Sequence, residues 1–167
     1  MIQNKPQRFN IRIAKNLIIS QEAKILIISV TPQSLNDLLE TIKSEVTKDH
    51  VLISIVSGIS KTLTLSHPFL GAEIADIKRR VGNSEAAVIR AMPNTAIAFR
   101  ESMTCIAAEN RNAKGLDLTA RIFDALGTKK RQQILICLGA TMIVDEPQIV
   151  PATALCACGV AVSQTTI

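Results

Sequence analysis

Residues 88–107 read VIRAMPNTAIAFRESMTCIA, the most informative stretch of this sequence. It begins as a short apolar run of the kind found in buried strands, and Pro93 interrupts that run. Asn94 and Thr95 follow, and both residue types favour helix caps and turns. A strand that ends in this way places polar side chains and free backbone groups at its carboxyl end. In open α/β sheets, that end is where ligands bind.

Other parts of the chain alternate between strand and helix patterns. Residues 24–30 and 51–56 are short, rich in aliphatic side chains, and typical of strands buried on both faces. Apolar residues recur with helical spacing over 34–46 and again over 115–126, which predicts two amphipathic helices. We also predict a helix over 72–81 and strands over 87–92 and 103–108. This alternation predicts an α/β fold with a partial Rossmann-type, doubly wound and mainly parallel sheet.

The composition favours a folded domain without nucleic-acid or membrane partners. The chain has 167 residues, of which 47% are hydrophobic, and this argues against disorder. Aromatic residues make up only 2%, so little surface could stack on bases despite a net charge of +5. No apolar run reaches the roughly 20 residues needed to span a bilayer, and the first residues lack a signal-peptide pattern. We therefore expect a cytoplasmic protein.

The residue types that carry metal or acid–base chemistry are scattered along the chain. The four cysteines form no CxxC pair, and both histidines are remote from them in sequence, so we predict buried thiols and no metal site. The carboxylates of Glu101, Glu109, Asp145 and Glu146 are not spaced like a catalytic dyad, and we expect them to be solvated. No catalytic residue is therefore assigned.

Three loops combine turn formers with small polar residues. They are residues 31–33 (TPQ), 57–60 (SGIS) and 93–95 (PNT), and each follows a predicted strand. Because the carboxyl ends of parallel strands meet at one edge of a sheet, these loops predict a ligand cleft. Free backbone N–H groups at helix starts suit phosphates and carboxamides, and Gly58 would let a flat ring approach the backbone.

Several motifs, in order along the chain, resemble those of the pyrroline-5-carboxylate reductases, NAD(P)H-dependent enzymes of the last step of proline synthesis. ILIISVTPQ at 25–33 is similar to the family's strand with its AVKP-type turn, and ISIVSGIS at 53–60 to its ISxxAGIS strand and turn. IRAMPNTA at 89–96 resembles VRxMPNTP, and ATALCACGVA at 152–161 resembles the VTALSGSGPAY helix start. Asn16 corresponds to an asparagine that precedes the AVKP strand in the family.

The resemblance implies a function, a cofactor and a set of site residues. The cofactor would be NADPH or NADH, and hydride transfer to the imine of 1-pyrroline-5-carboxylate would give L-proline. Intact members of the family form homo-oligomers. The adenosine half of the cofactor would lie against Asn16, Val30, Thr31 and Pro32. The nicotinamide side would lie against Ser57, Gly58, Met92, Pro93 and Asn94, with Asn94 and Thr95 near the substrate.

Three departures from the family pattern bear on activity. The sequence contains no GxGxxG, the loop that holds the pyrophosphate at a helix N-terminus. By resemblance, residues 1–148 form a partial dinucleotide-binding domain, and 149–167 form the start, or first turn, of a truncated C-terminal helical dimerisation domain. Two stretches, around 61–72 and around 128–138, look inserted. We therefore expect little or no turnover from this chain alone.

Two other functions stay open at the level of the sequence. The chain could be a non-catalytic α/β interaction module that binds a partner through an exposed sheet edge. It could also be another Rossmann imine reductase or an F420-type reductase. The sequence does not distinguish a preference for NADH from one for NADPH.

Overall fold

The computed structural model describes residues 16–57, 73–82, 85–99, 102–126 and 141–153. Helices and strands alternate along this part of the chain. The elements are α1 (Asn16–Glu22), β1 (Ile25–Ile28), α2 (Pro32–Ile42), β2 (Val51–Ser54), α3 (Ile74–Val81), β3 (Ala87–Met92), β4 (Thr104–Ala108), α4 (Leu116–Ala125), β5 (Thr141–Ile143) and α5 (Ile149–Thr153). Two short 3-10 helices cover Thr95–Phe99 and Glu146–Gln148. Most predicted elements are present, and most of their ends lie within two residues of the predicted ones. The exception is α2, which ends at Ile42, four residues before the predicted end at Val46.

The five strands form one sheet in the order β1-β2-β3-β4-β5. β1, β2 and β3 are parallel, β4 is antiparallel to β3, and β5 is parallel to β4. The predicted α/β fold with a mainly parallel sheet is therefore confirmed. The direction changes at β4, and the described residues between β3 and β4 form a five-residue 3-10 helix and no α-helix. A parallel crossover ordinarily carries an α-helix.

Alternate residues of the strands pack against helices on opposite faces of the sheet. Leu26 and Ile28 of β1 belong to an apolar cluster with α2 and α3 on one face. Ile53, Ile89 and Ile106 of the three central strands pack with α4 on the other face. Each fully buried aliphatic side chain of this kind contributes about 1.5–3 kcal/mol. Helices on both faces are what the doubly wound prediction requires.

Two glycines allow turns that other residues would strain. Gly82 follows α3 with a φ of 65°, and Gly115 precedes α4 with a φ of 84°. At Gly115 a Cβ atom would lie 2.7 Å from Cγ1 of Val51, the first residue of β2. Glycine therefore lets α4 begin directly against the sheet.

Some predictions from the sequence lie wholly or partly outside the described residues. Gly58, Cys137, Cys156 and Cys158 belong to this group, as do residues 61–72 and 128–138. Cys105 is buried, as expected. α5 begins at Ile149, where the second domain was expected, but the division into two domains stays a prediction.

The described ranges contain no helix that is both long enough and apolar enough to cross a membrane. They also hold no group of three or more side chains suited to bind a metal ion.

Candidate functional site

The carboxyl ends of the three parallel strands lie side by side. Ile28, Ser54 and Arg90 are paired in register across β1, β2 and β3. The chain continues from these strands through residues 29–31, 55–57 and 93–95. The described parts of the three predicted loops therefore leave the sheet at the same edge.

The first loop turns directly into α2. Thr31 is the N-cap residue, and its carbonyl oxygen accepts a hydrogen bond from the Ser34 N–H at 3.0 Å. Its hydroxyl donates to Oγ of Ser34 at 3.2 Å and does not cap the helix. Pro32 occupies the first turn, while Val30 is half-buried against the apolar cluster beneath α2. The first turn of α2 thus has no side-chain cap within the described part of the chain, and uncapped N–H groups of this kind suit anions.

The other predicted cofactor residues are described only in part. Ser57 is exposed just beyond β2, and its neighbour Gly58 lies outside the described residues. Asn16 is the first residue of α1, but its side chain is not among those described. Ser57 thus lies at the carboxyl edge of β2, and Asn16 begins the helix that precedes β1.

The third loop is held from below by two buried hydroxyls. The N–H of Asn94 donates to Oγ of Ser102 at 3.1 Å, and that oxygen is 3.1 Å from Oγ1 of Thr104. Oδ1 of Asn94 accepts the N–H of Ala96 at 3.1 Å, so this side chain caps the 3-10 helix that Thr95 begins. Together these bonds fix the loop at both its backbone and its side chain.

Ser102 and Thr104 are site residues that the sequence analysis missed. They enter the site because β4 is antiparallel to β3, which returns the chain to the edge where Met92 ends β3. A signal was present in the sequence, since two residues spaced by two point to the same side of an extended chain. Both side chains are buried directly under the third loop.

A buried arginine lies in β3, the strand that leads into the third loop. Arg90 of β3 is only 5% exposed, and its Nη1 is 3.4 Å from Oε1 of Glu146. The same carboxylate oxygen accepts the N–H of Ile74 at 2.7 Å. Nε of Arg90 is buried without a hydrogen-bond partner among the described residues. The expectation that Glu146 is solvated was therefore wrong, because this side chain bridges β3 and the first turn of α3.

A separate open cavity lies elsewhere on the described structure. It has a volume of about 370 Å³ and is lined by Glu109, Arg111 and Asp145, among other residues. These residues follow β4 and β5 or lie close to their carboxyl ends. Because β4 is antiparallel to β3, this is the sheet edge opposite to the three loops. Register and loop chemistry, rather than cavity size, therefore define the candidate site.

Curated proteins with similar sequences are reductases. Pyrroline-5-carboxylate reductase 1 of Dictyostelium discoideum is 40% identical over 138 residues, which is 83% of this chain and 22% of that protein. Pyrroline-5-carboxylate reductase 2 of the same organism is 37% identical over 147 residues, or 87% of this chain and 45% of that protein. The reductase of Methanosarcina acetivorans is 35% identical over 115 residues, or 68% of this chain and 37% of that protein. The chain thus spans less than half the length of each relative.

Solved structures of the same name share the fold, whereas no protein-family model matches the chain. Plasmodium falciparum pyrroline carboxylate reductase with NADP bound has a TM-score of 0.68 at 22% identity, over 96% of this chain and 53% of that one. The Coxiella burnetii reductase has a TM-score of 0.63 at 22% identity, over 90% of this chain and 47% of that one. Sequence similarity and fold together identify the chain as a homologue of the pyrroline-5-carboxylate reductases over part of their length.

Proposed function

We propose that this chain is the part of a pyrroline-5-carboxylate reductase that contacts both ends of NADPH or NADH. The whole protein would reduce the imine of 1-pyrroline-5-carboxylate to L-proline. The observation that carries this proposal is the common edge at which the three loops leave β1, β2 and β3, since their sequences resemble the family's cofactor-contacting motifs. The dinucleotide supplies a hydride to the imine carbon and a proton goes to its nitrogen, so the protein's part is binding and orientation.

The adenosine half of the cofactor would lie over the loop between β1 and α2. The uncapped first turn of α2 offers backbone N–H groups to phosphate oxygens. Thr31 is exposed there, and Pro32 sets the direction of the helix. Val30 would contact the adenosine from its half-buried position, and Asn16 would approach it from α1.

The nicotinamide would lie between the second and third loops. Ser57 and Gly58 would leave room for the flat ring, and Met92 and Pro93 would contact it from the end of β3. Asn94 and Thr95 would face the substrate. The bond from the Asn94 N–H to buried Ser102 supports this assignment, because it holds the loop in one position before a ligand arrives.

The fit of this chain to the dinucleotide is incomplete at the cofactor's pyrophosphate. The sequence has no GxGxxG. Among the described residues, the glycines with positive φ are Gly82 and Gly115, which precede β3 and α4. Both lie toward the amino ends of the parallel strands, so neither can cradle a phosphate at the candidate site. We therefore expect weak dinucleotide binding and little turnover by the 167-residue chain.

A charge placed in the first loop tests this assignment. We expect Thr31→Glu to weaken NADPH binding about tenfold, equivalent to about 1.4 kcal/mol, because a carboxylate would repel the phosphates. Ser44→Glu adds the same charge near the other end of α2, where Ser44 is exposed, and serves as the control. Isothermal titration calorimetry would measure both dissociation constants. Equal affinities for the two variants would contradict the adenosine-side assignment.

The expected lack of turnover has a direct assay. NADPH oxidation by the purified chain should not depend on added 1-pyrroline-5-carboxylate. Robust, substrate-dependent oxidation would show that the chain needs neither a glycine-rich loop nor further substrate-binding residues.

One observation favours the second candidate function, an interaction module. Ile25 and Ile27 of the edge strand β1 are 37% and 52% exposed, which is unusual for a strand with this apolar sequence. Oligomers that form as the protein concentration rises, without NADPH binding, would favour that function. Homo-oligomer formation by the whole reductase and a cytoplasmic location stay predictions. The choice between NADH and NADPH stays open.

A further inference from the structure

A buried histidine lies at the amino edge of the parallel strands, opposite to the candidate site. His50 is the residue before β2, and it is 8% exposed. Its carbonyl oxygen accepts the N–H of Ala87, the first residue of β3, at 3.3 Å. The backbone of His50 is therefore fixed by the sheet, and its ring is available to hold a neighbouring element.

The hydrogen bonds of the ring determine its tautomer. The N–H of Thr47 donates to Nδ1 of His50 at 2.9 Å, and the Thr47 hydroxyl lies at the same distance from that nitrogen. Because Nδ1 accepts a backbone N–H, the proton of the neutral ring must be on Nε2. Nε2 is 3.0 Å from the carbonyl oxygen of Ser20 and donates to it. The ring thus joins the loop before β2 to the last turn of α1.

This contact holds α1 at the end opposite to Asn16. Ser20 lies in the last turn of the helix, at the amino edge of the sheet, and α1 packs against α2. The seven residues of α1 span about 10 Å, close to the length of the neighbouring strand β1. Asn16 at the start of α1 therefore lies toward the carboxyl edge, where α2 begins.

The position of α1 depends on contacts of this kind. Isolated helices shorter than about 12–15 residues are marginal in water, and α1 is shorter still. Among the described side chains of α1, Ser20 is fully buried, whereas Ile18 and Ile19 are 41% and 38% exposed. The bond from His50 therefore acts at the most deeply buried described point of the helix.

We propose that His50 is a positioning residue for the adenosine half of the dinucleotide, because its Nε2–H holds α1 and thereby the backbone of Asn16 beside the first turn of α2. This inference rests on the proposed function, which assigns Asn16 to the adenosine. His50 lies at the opposite edge of the sheet and does not touch the cofactor. The third loop is held separately, by the bond from the Asn94 N–H to Ser102. The effect of His50 should therefore be confined to one half of the dinucleotide.

Two substitutions separate the two hydrogen bonds of the ring. His50→Asn keeps an amide oxygen near the position of Nδ1, as an acceptor for the Thr47 N–H, but loses the donor to Ser20. His50→Gln is longer by one methylene group and keeps an amide N–H that reaches the Ser20 carbonyl oxygen. The second variant should therefore restore what the first one loses.

NMR titrations of the 167-residue chain measure the affinity for each half of the cofactor separately. AMP and adenosine 2′,5′-bisphosphate represent the adenosine halves of NADH and NADPH, and reduced nicotinamide mononucleotide represents the other half. We expect His50→Asn to weaken binding of the adenosine probes about fivefold, the effect of one lost hydrogen bond. His50→Gln should stay within about twofold of the unmodified chain. Binding of the nicotinamide probe should be the same in the unmodified chain and in both variants.

Three results would overturn the proposal. They are an unchanged adenosine affinity in His50→Asn, an equal loss in both variants, and an equal loss for both halves of the cofactor, which is what general destabilisation would give. If the unmodified chain binds neither half, the dinucleotide assignment itself fails, and the role of His50 fails with it.

A second measurement applies if His50→Asn does not fold, as reported by the amide of Ile53 in the middle of β2. The tautomer of the ring in the unmodified chain is then read from its imidazole nitrogen shifts, and the Asn16 amide is followed as an adenosine probe is added. A proton on Nε2 together with a shift at Asn16 would support the proposal. A proton on Nδ1, or an Asn16 amide that does not shift, would overturn it.

Discussion

Ser102 shows how one buried hydroxyl can fix a loop that the sequence presents as an exposed turn. Its Oγ accepts the Asn94 N–H and lies within hydrogen-bond distance of Thr104. The loop therefore keeps one backbone position without contact from a ligand. A preformed loop loses less conformational entropy on binding than a loop that must first become ordered.

Removing this hydroxyl should loosen the loop. We expect Ser102→Ala to lower the free energy of unfolding by about 1 kcal/mol, because the partly buried N–H of Asn94 loses its acceptor. Amide exchange at Asn94 should become faster. Ser44→Ala removes an exposed hydroxyl and should change the free energy of unfolding by less than about 0.5 kcal/mol. Urea denaturation gives both values, and an equal effect of the two substitutions would mean that Ser102 does not anchor the loop.

Gly115 is a second position where a single atom matters. Gly115→Ala should destabilise the protein by about 2–4 kcal/mol, since it combines a positive φ with a Cβ atom 2.7 Å from Cγ1 of Val51. Gly82→Ala has a similar φ, but its Cβ would lie 3.1 Å from Cε of Lys43, the flexible part of a long side chain. That control should cost only about 1–2 kcal/mol. Equal losses in thermal unfolding would show that the contact with Val51 is unimportant.

At the level of elements, Glu146 connects three parts of the fold. The Glu146 carboxylate contacts Arg90 in β3 and the N–H of Ile74, the first residue of α3. Glu146 is also the first residue of the 3-10 helix after β5. The negative charge suits the amino end of α3 and balances a buried guanidinium. The strand that leads into the third loop is thereby tied to two elements that are distant in sequence.

Two substitutions at Glu146 distinguish its ion pair with Arg90 from its hydrogen bond with the Ile74 N–H. Glu146→Ala should destabilise the protein by about 3 kcal/mol, because it removes the carboxylate that pairs with the buried Arg90 charge. Glu146→Gln keeps an acceptor for the Ile74 N–H, and its cost should be about half as large. Urea denaturation of both variants would measure the difference. Losses below about 0.5 kcal/mol for both would contradict a structural role for this ion pair.

The local sequence pattern predicts helices and strands better than it predicts which distant residues contact each other. β1, β2 and β3 were predictable because a short aliphatic run is enough to mark a doubly buried strand, and α4 because its apolar spacing is helical. The bridge made by Glu146 was not predictable, since its contacts lie 56 and 72 residues away in sequence. A carboxylate followed by proline has the same local sequence whether it is solvated or paired.

For the molecule as a whole, the sequence could predict the sheet edge at which the three loops meet. It could not predict the buried side chains that lie beneath the third loop. Parallel strands bring residues 31, 57 and 94 to one side of the sheet, and this follows from strand order alone. The roles of Ser102 and Thr104 depend on the direction of β4. That direction goes with a 3-10 helix in place of a helical crossover after β3, which no single residue type determines.

An NMR titration of the 167-residue chain with NADPH tests whether the carboxyl edge of β1, β2 and β3 binds the dinucleotide. We predict saturable shifts of backbone amides at the three loops, namely those of Val30, Thr31, Ser57, Met92 and Asn94. We predict no shifts around the cavity beyond β4 and β5, at Glu109, Asp145 and Glu146. Shifts confined to that cavity, or no saturable shifts at millimolar NADPH, would contradict it.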